Sequence, residues 1–288
     1  MNQKNNKVAV ITDSMSCIPR GMLEQLNISV VPITIHFDGQ NYRDLFDLTA
    51  DQAYELFLRD PDEFKTSPPS VGQFLDAYTT AAKAAENILC ITLSSKLSAC
   101  YKIACIARDE ARQQIPGVNI GVLDSTHVTA SQGFVVLAAA RSAADGKDLK
   151  AVIRATEDMM QKTTFLMALD TIEHVYRTGR IPKVVARLGS IMSVKPILTF
   201  KSGAVSFAGM TRKHDHSLDR IIQLFKHSVG DKPVHVAVMH AYAEGEARKL
   251  KERIAAEFNC KELWVTELSP VMGYAVGTGT VGFAWYAG

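Results

Sequence analysis

The 288-residue sequence has no C-x-x-C pair, no Walker A pattern, no G-x-S-x-G elbow and no H-E-x-x-H. Its five cysteines, Cys17, Cys90, Cys100, Cys105 and Cys260, are odd in number, which argues against a disulfide framework and against a zinc site. Reduced thiols fit a cytoplasmic protein. Charge of one sign is lacking too. The 32 Lys+Arg against 30 Asp+Glu leave a formal +2, with no basic stripe or tail, so nucleic acid is not an expected partner. The most apolar run, residues 134–140, falls far short of the roughly 20 residues that a bilayer requires, so no transmembrane segment is expected. Residues 1–7 are polar and precede only a short apolar strand, so no secretory leader is expected either.

What is present is a chain long enough for two domains, 47% hydrophobic. It is organised around residues 87–104, an apolar β-like segment that breaks into hydroxyl residues and resumes at helical spacing. The pattern predicts a strand over 88–93, a tight turn at Ser94-Ser95-Lys96, and a helix with Leu97, Tyr101 and Ala104 on one face. In an open α/β sheet, ligands gather beyond the carboxyl ends of the strands. Ser94 and Ser95 are therefore a candidate anion cradle, and an ordinary serine N-cap is the alternative.

The chain before and after this turn reads as alternating strand and helix. Residues 8–12 form a buried strand delivering Asp13 and Ser14 at its end, and residues 120–123 form another ending in Asp124 and Ser125. Residues 30–37 read as one strand, with Pro32 hinting at an edge. Strands separated by helices favour parallel pairing through right-handed crossovers. Helices are expected at 129–144 and 149–161, then a hairpin over 194–208, a helix at 217–227, a strand at 234–240, a helix at 244–258 and a strand at 263–268. The fold class is α/β in two domains. Residues 1–148 form a Rossmann-like parallel-sheet domain, and 149–288 an α+β domain with a mixed sheet.

Several motifs have bland readings. The stretch 277–282 spells G-x-G-x-x-G, but the chain ends too soon for a further βαβ unit, so a tight backbone approach or a sheet-edge glycine cluster is preferred. His214-Asp215-His216 reads as solvated surface rather than a metal site, and His235 and His240 as packed or capping residues. No metal is expected. In Thr66-Ser67-Pro68-Pro69-Ser70 the serine at 70 is placed to cap the following helix, whereas Thr66 has no such duty. Arg180, beside Gly179, is placed either to meet an anion bidentately or to form an inter-domain salt bridge.

Taken together, these pieces resemble the DegV family of bacterial fatty acid-binding proteins. They are Thr12-Asp13-Ser14, Thr66-Ser67-Pro68-Pro69-Ser70, Ser94-Ser95-Lys96-Leu97-Ser98, Asp124-Ser125, Gly179-Arg180-Ile181, Lys195-Pro196-Ile197-Leu198 and the carboxyl-terminal glycines. They occur in family order and span nearly the whole chain. The resemblance implies a long-chain fatty acid in a tunnel between two α/β domains, its carboxylate bound by Thr66 and Ser95 with Ser94 helping. It also implies no cofactor, and a role as acyl carrier for a fatty acid kinase rather than as an enzyme. The alternative is an enzyme acting on a small phosphate or carboxylate ester at the Ser94-Ser95 turn. This chain departs from the family pattern at Ala99-Cys100, at Thr178, and at Ala275, where the family carries a histidine.

Overall fold

The structure, a computed structural model, describes residues 7–180 and 194–288. It divides into two compact units, Met1–Asp47 with Lys65–Gln161, and Leu48–Phe64 with Lys162–Gly288. A single cut near residue 148 does not describe this division. The helix after residue 148 goes with the first unit, and residues 48–64 go with the second.

The first unit opens with β1 (Val8–Asp13), a short 3-10 turn (Ser14–Ser16), α1 (Arg20–Gln25) and β2 (Ser29–Val31). The expected strand over 30–37 is two strands in two sheets. Proline cannot donate to a ladder, and the chain leaves the β1 edge at Pro32 to restart as β3 (Thr34–Phe37), paired with β4 (Gln40–Arg43). The β3–β4 hairpin turns through Asp38 and Gly39, both at positive φ (49° and 71°), the geometry an Asp-Gly pair supplies. The chain then leaves for α2 (Ala50–Arg59) of the second unit and returns as β5 (Lys65–Ser67), antiparallel to β3.

There follow α3 (Val71–Ala82), β6 (Asn87–Thr92), α4 (Cys100–Gln114), β7 (Asn119–Asp124), α5 (Thr129–Ala144) and α6 (Leu149–Lys162). Strands β2-β1-β6-β7 form an all-parallel sheet, as the strand–helix alternation predicts. Successive side chains on a strand face opposite ways, so Ile11, Ile88 and Cys90 pack under Phe74 and Tyr78 of α3 and Ala104, Ala107 and Ala111 of α4. Each large apolar side chain fully buried here contributes about 1.5–3 kcal/mol. The alanines of α4 let that helix lie close to the strands. In α5, Gly133 has its Cβ position 2.6 Å from the Ser16 carbonyl oxygen, so only glycine lets this helix lie against the turn that follows β1.

The second unit contains α2, β8 (Thr164–Ala168), α7 (Glu173–Arg177), β9 (Lys195–Lys201), β10 (Ala204–Thr211), α8 (His214–Val229), β11 (Val234–His240), α9 (Glu244–Glu257), β12 (Cys260–Glu267), α10 (Pro270–Val276) and β13 (Val281–Ala287). Among the described residues the mixed sheet runs β10-β9-β8-β13-β11-β12, with only the β11–β12 pair parallel. Phe225 of α8 meets Phe258, Phe283 and Trp285 at ring distances of 4.4, 4.9 and 5.0 Å and anchors the core beneath α8 and α9. The glycine cluster leads into β13, an interior strand, so G-x-G-x-x-G serves no dinucleotide here, nor does it lie at a sheet edge. The tight approach is real: a Cβ at Gly282 would strike the Leu166 carbonyl oxygen.

Candidate functional site

Strands β1, β6 and β7 end side by side, so their terminal polar residues are neighbours at the carboxyl edge of the parallel sheet. Asp13 is fully buried there. Its Oδ2 accepts the Leu93 N–H (2.7 Å), and its Oδ1 accepts the Met15 N–H (3.0 Å) and Gln132 Nε2–H (3.1 Å). Gln132 also donates to Thr12 Oγ1 (3.1 Å). Burial pushes the Asp13 carboxyl up to about 6, and the three hydrogen bonds pull in the opposite direction. This carboxylate braces the end of β6 from which the serine turn departs. Sequence reading placed Asp13 at a strand end and missed Gln132; the available signal was a lone amide in the first turn of an otherwise apolar, small-residue helix.

The turn itself is longer than the spacing predicts. Helix α4 begins at Cys100, so Leu97 lies outside it, and neither Ser94 nor Ser95 is its N-cap. The Leu97 and Ser98 N–H groups return to the Ser94 carbonyl (3.0 and 3.3 Å). Ser98 Oγ accepts the Cys100 N–H (3.3 Å), satisfying one donor of the first helical turn. Ser94 is buried; its N–H donates to the His127 carbonyl (2.8 Å) and its Oγ accepts the Lys96 N–H (3.3 Å). Ser95 is exposed, and its N–H is taken by Asp124 Oδ1 (3.2 Å), which also accepts the Thr126 N–H (2.8 Å). A protein carboxylate thus occupies the backbone donor, while the Ser95 hydroxyl has no hydrogen-bond partner among the described residues.

The same sorting divides the Thr66–Ser70 loop. Ser67 Oγ pairs with His36 Nε2 (2.7 Å), and Ser70 forms a capping box with Gln73 at the start of α3, as expected. Thr66 is half-buried in β5, opposite Ile35, and its hydroxyl makes no hydrogen bond among the described residues. Thr66 therefore stands in the three-stranded sheet, and Ser94 and Ser95 at the end of the parallel one.

Arg180 belongs to the second unit and follows α7. It is exposed, donates from Nη1 to the Thr178 carbonyl (2.9 Å), and makes no ion pair among the described residues. Ile181 and Pro182, the rest of that motif, lie outside the described residues. Ala275 sits in α10, ahead of Gly277 and Gly279, both at positive φ (87° and 82°). A Cβ at Gly277 would strike the His174 ring, and one at Gly279 would strike Asp170 Oδ2. His214 is not solvated surface. It bridges Asp170 Oδ1 (3.0 Å) and Glu246 Oε2 (2.7 Å), and Lys195 joins the same Asp170 oxygen (3.0 Å). No cluster of three or more metal-ligating side chains occurs among the described residues.

These features define a two-unit α/β protein whose parallel sheet presents a braced serine turn and whose neighbouring loops keep selected hydroxyls uncommitted. The family model described as an uncharacterised protein of the DegV family matches residues 7–288, and the chain belongs to that family. A DegV domain-containing protein of Clostridium perfringens is 30% identical over 279 residues, 96% of this chain and 98% of the relative. Two solved structures share the fold at a TM-score of 0.88. One, from Thermus thermophilus and described as fatty acid binding of a DegV family protein, is 28% identical, covering 98% of this chain and 99% of that one. The other, DegV of Bacillus subtilis, described as a fatty acid-binding protein, is 27% identical, covering 98% and 100%.

Proposed function

We propose that this chain binds a long-chain fatty acid, its carboxylate accepting hydrogen bonds from the Thr66 and Ser95 hydroxyls. In this proposal Ser94 braces the turn and Arg180 offsets the anion's charge. The observation that carries it is the sorting of hydroxyls. Ser67, Ser70 and Ser94 are committed to the protein, whereas those of Thr66 and Ser95 are left for something else. The seat of the acyl chain between the two units and the partnership with a fatty acid kinase belong to the same proposal, supported by the family resemblance.

A C16 tail carries about 14 methylenes, each worth roughly 0.8 kcal/mol when buried, so it supplies about 11 kcal/mol before ordering costs. An ionised carboxylate entering without donors would cost several kcal/mol. The hydroxyls therefore keep the head from opposing entry, and the tail supplies the strength. An esterase-like reaction at the serine turn is disfavoured because Ser95 Oγ has no base hydrogen-bonded to it among the described residues.

Organic extraction of the purified protein followed by mass spectrometry should release one acyl chain per protein. If extraction yields none and the protein takes up neither palmitate nor oleate, the proposal fails.

A further inference from the structure

A cleft of about 490 Å³ opens in the second unit at the carboxyl ends of the parallel strands β11 and β12, lined by Asp51, His240, Tyr242, Glu244, Thr266 and Glu267. His240 and Glu267 are register partners at the strand ends, Tyr242 comes from the connection into α9, Glu244 opens that helix, and Asp51 lies in the first turn of α2. Crevices beyond the ends of parallel strands are where open sheets bind ligands. Glu244 is held by Arg248 (2.6 Å), but Asp51 and Glu267 have no cationic partner among the described residues. Burial, and then the charges of Asp51 and Glu244, push the Glu267 carboxyl up to about 7, so its ionised form is uncompensated by the protein and would gain from a cation placed beside it.

His240 adds a group of a different kind, a hydrogen-bond donor, beside these carboxylates. It is only 5% exposed, and its Nδ1 accepts the Ala243 N–H (3.3 Å), which places the proton of the neutral ring on Nε2. Burial holds its pKa below the usual imidazole range and so keeps the ring neutral. Its Nε2–H has no partner among the described residues, although the residue lines the cleft. A donor left open on an otherwise buried ring that lines a cleft offers itself to an acceptor in that cleft, and the carboxylates call for a cation. A bare metal ion would bring the charge but not the rest: among the described residues no three such side chains are arranged to ligate one, and it brings no acceptor to the imidazole. A ligand carboxylate would be repelled by Asp51, Glu244 and Glu267, so the acceptor must be neutral.

We infer that this cleft binds a small primary amine bearing hydroxyl groups, an amino alcohol or amino sugar. Its ammonium lies against Glu267 and Asp51, and a hydroxyl oxygen accepts from His240 Nε2–H. The site does not depend on the fatty acid proposal.

The test uses the full chain and glucosamine as the probe, followed by calorimetry and by the nitrogen resonances of His240. Saturable binding with a shift at His240 Nε2 is expected. N-acetylglucosamine, which lacks the ammonium, and ethylamine, which lacks the hydroxyl, should each bind at least about tenfold more weakly. Glu267→Gln, a conservative change at a half-buried strand end, should weaken glucosamine about tenfold while the protein stays folded by circular dichroism. No binding of glucosamine, equal binding of N-acetylglucosamine, or an unmoved His240 resonance at saturation would each overturn the assignment.

Discussion

Asp13 and Glu267 occupy equivalent places, each closing a strand that runs parallel to a neighbour, one in each unit. Both carboxyls are pushed up, to about 6 and about 7. The surroundings differ in kind. Three N–H groups converge on Asp13, and burial alone opposes its charge. Glu267 has no such donors among the described residues and faces Asp51 and Glu244. A shifted carboxyl is therefore not by itself a sign of a ligand site. What distinguishes the two is whether the protein has already spent the group's hydrogen-bonding capacity. Asp13 is structural, and Glu267 is free to act.

Removing Asp13 should break this contrast hardest. Asp13→Ala leaves the Leu93 and Met15 N–H groups and the Gln132 amide unsatisfied in the interior, and should cost about 3–5 kcal/mol in urea unfolding. A loss under about 1 kcal/mol would mean that Asp13 braces nothing. The same carboxyl sets a pH dependence. Its folded pKa is raised above 3.8, so the folded state binds the extra proton between about pH 4 and 6. Its stabilising contribution is present below that window and is lost as pH rises through it. Asp13→Asn should flatten the stability profile across that window, whatever its effect on overall stability.

How legible this was depends on what sets each element. Helix α5 and strand β11 follow the expected bounds because periodicity and composition change sharply at their ends. Residues 30–37 read as one strand because alternation carries no information about which sheet a strand joins. Only Pro32 signalled the break. The excursion of residues 48–64 into the second unit is invisible in local pattern, since Tyr54 earns its place through a hydrogen bond to the Leu268 carbonyl (2.9 Å) far along the chain. The position of β13 inside the sheet was hidden by glycines, which local rules read as turns and edges. At the candidate site, the hydroxyl-bearing loops were legible as motifs. Their division into committed and uncommitted hydroxyls was not, because it depends on partners such as His36 and His127.

That division gives the next largest effects. Thr66→Val and Ser95→Ala should each weaken palmitate binding by about 1–3 kcal/mol with the melting temperature unchanged, because no intramolecular hydrogen bond is lost among the described residues. Ser94→Ala should behave in the opposite way, lowering stability by about 1 kcal/mol as the Lys96 N–H loses its acceptor beside a buried site. The three variants, compared by ligand titration and thermal melting, separate head-group contacts from turn bracing. Equal losses of stability in all three would erase the distinction.

The smallest expected effect comes from Glu267, and its sign is opposite to that of Asp13→Ala. Glutamine at 267 keeps the shape and removes a charge that burial, Asp51 and Glu244 all disfavour, so the variant should not be less stable than the parent at pH 8. The folded pKa of about 7 lies above the ordinary 4.5. The parent's Glu267 therefore favours folding below about pH 4.5 and loses that contribution as pH climbs through 7. In Glu267→Gln the loss disappears, so parent and variant should diverge on going from pH 5 to pH 8, with the variant ahead. Solvent screening of a half-exposed group keeps the difference under about 1 kcal/mol. Denaturant midpoints at the two pH values measure it directly. A variant that is less stable than the parent at pH 8 would mean that Glu267 is held by the protein as Asp13 is, and the contrast between the two strand ends would collapse.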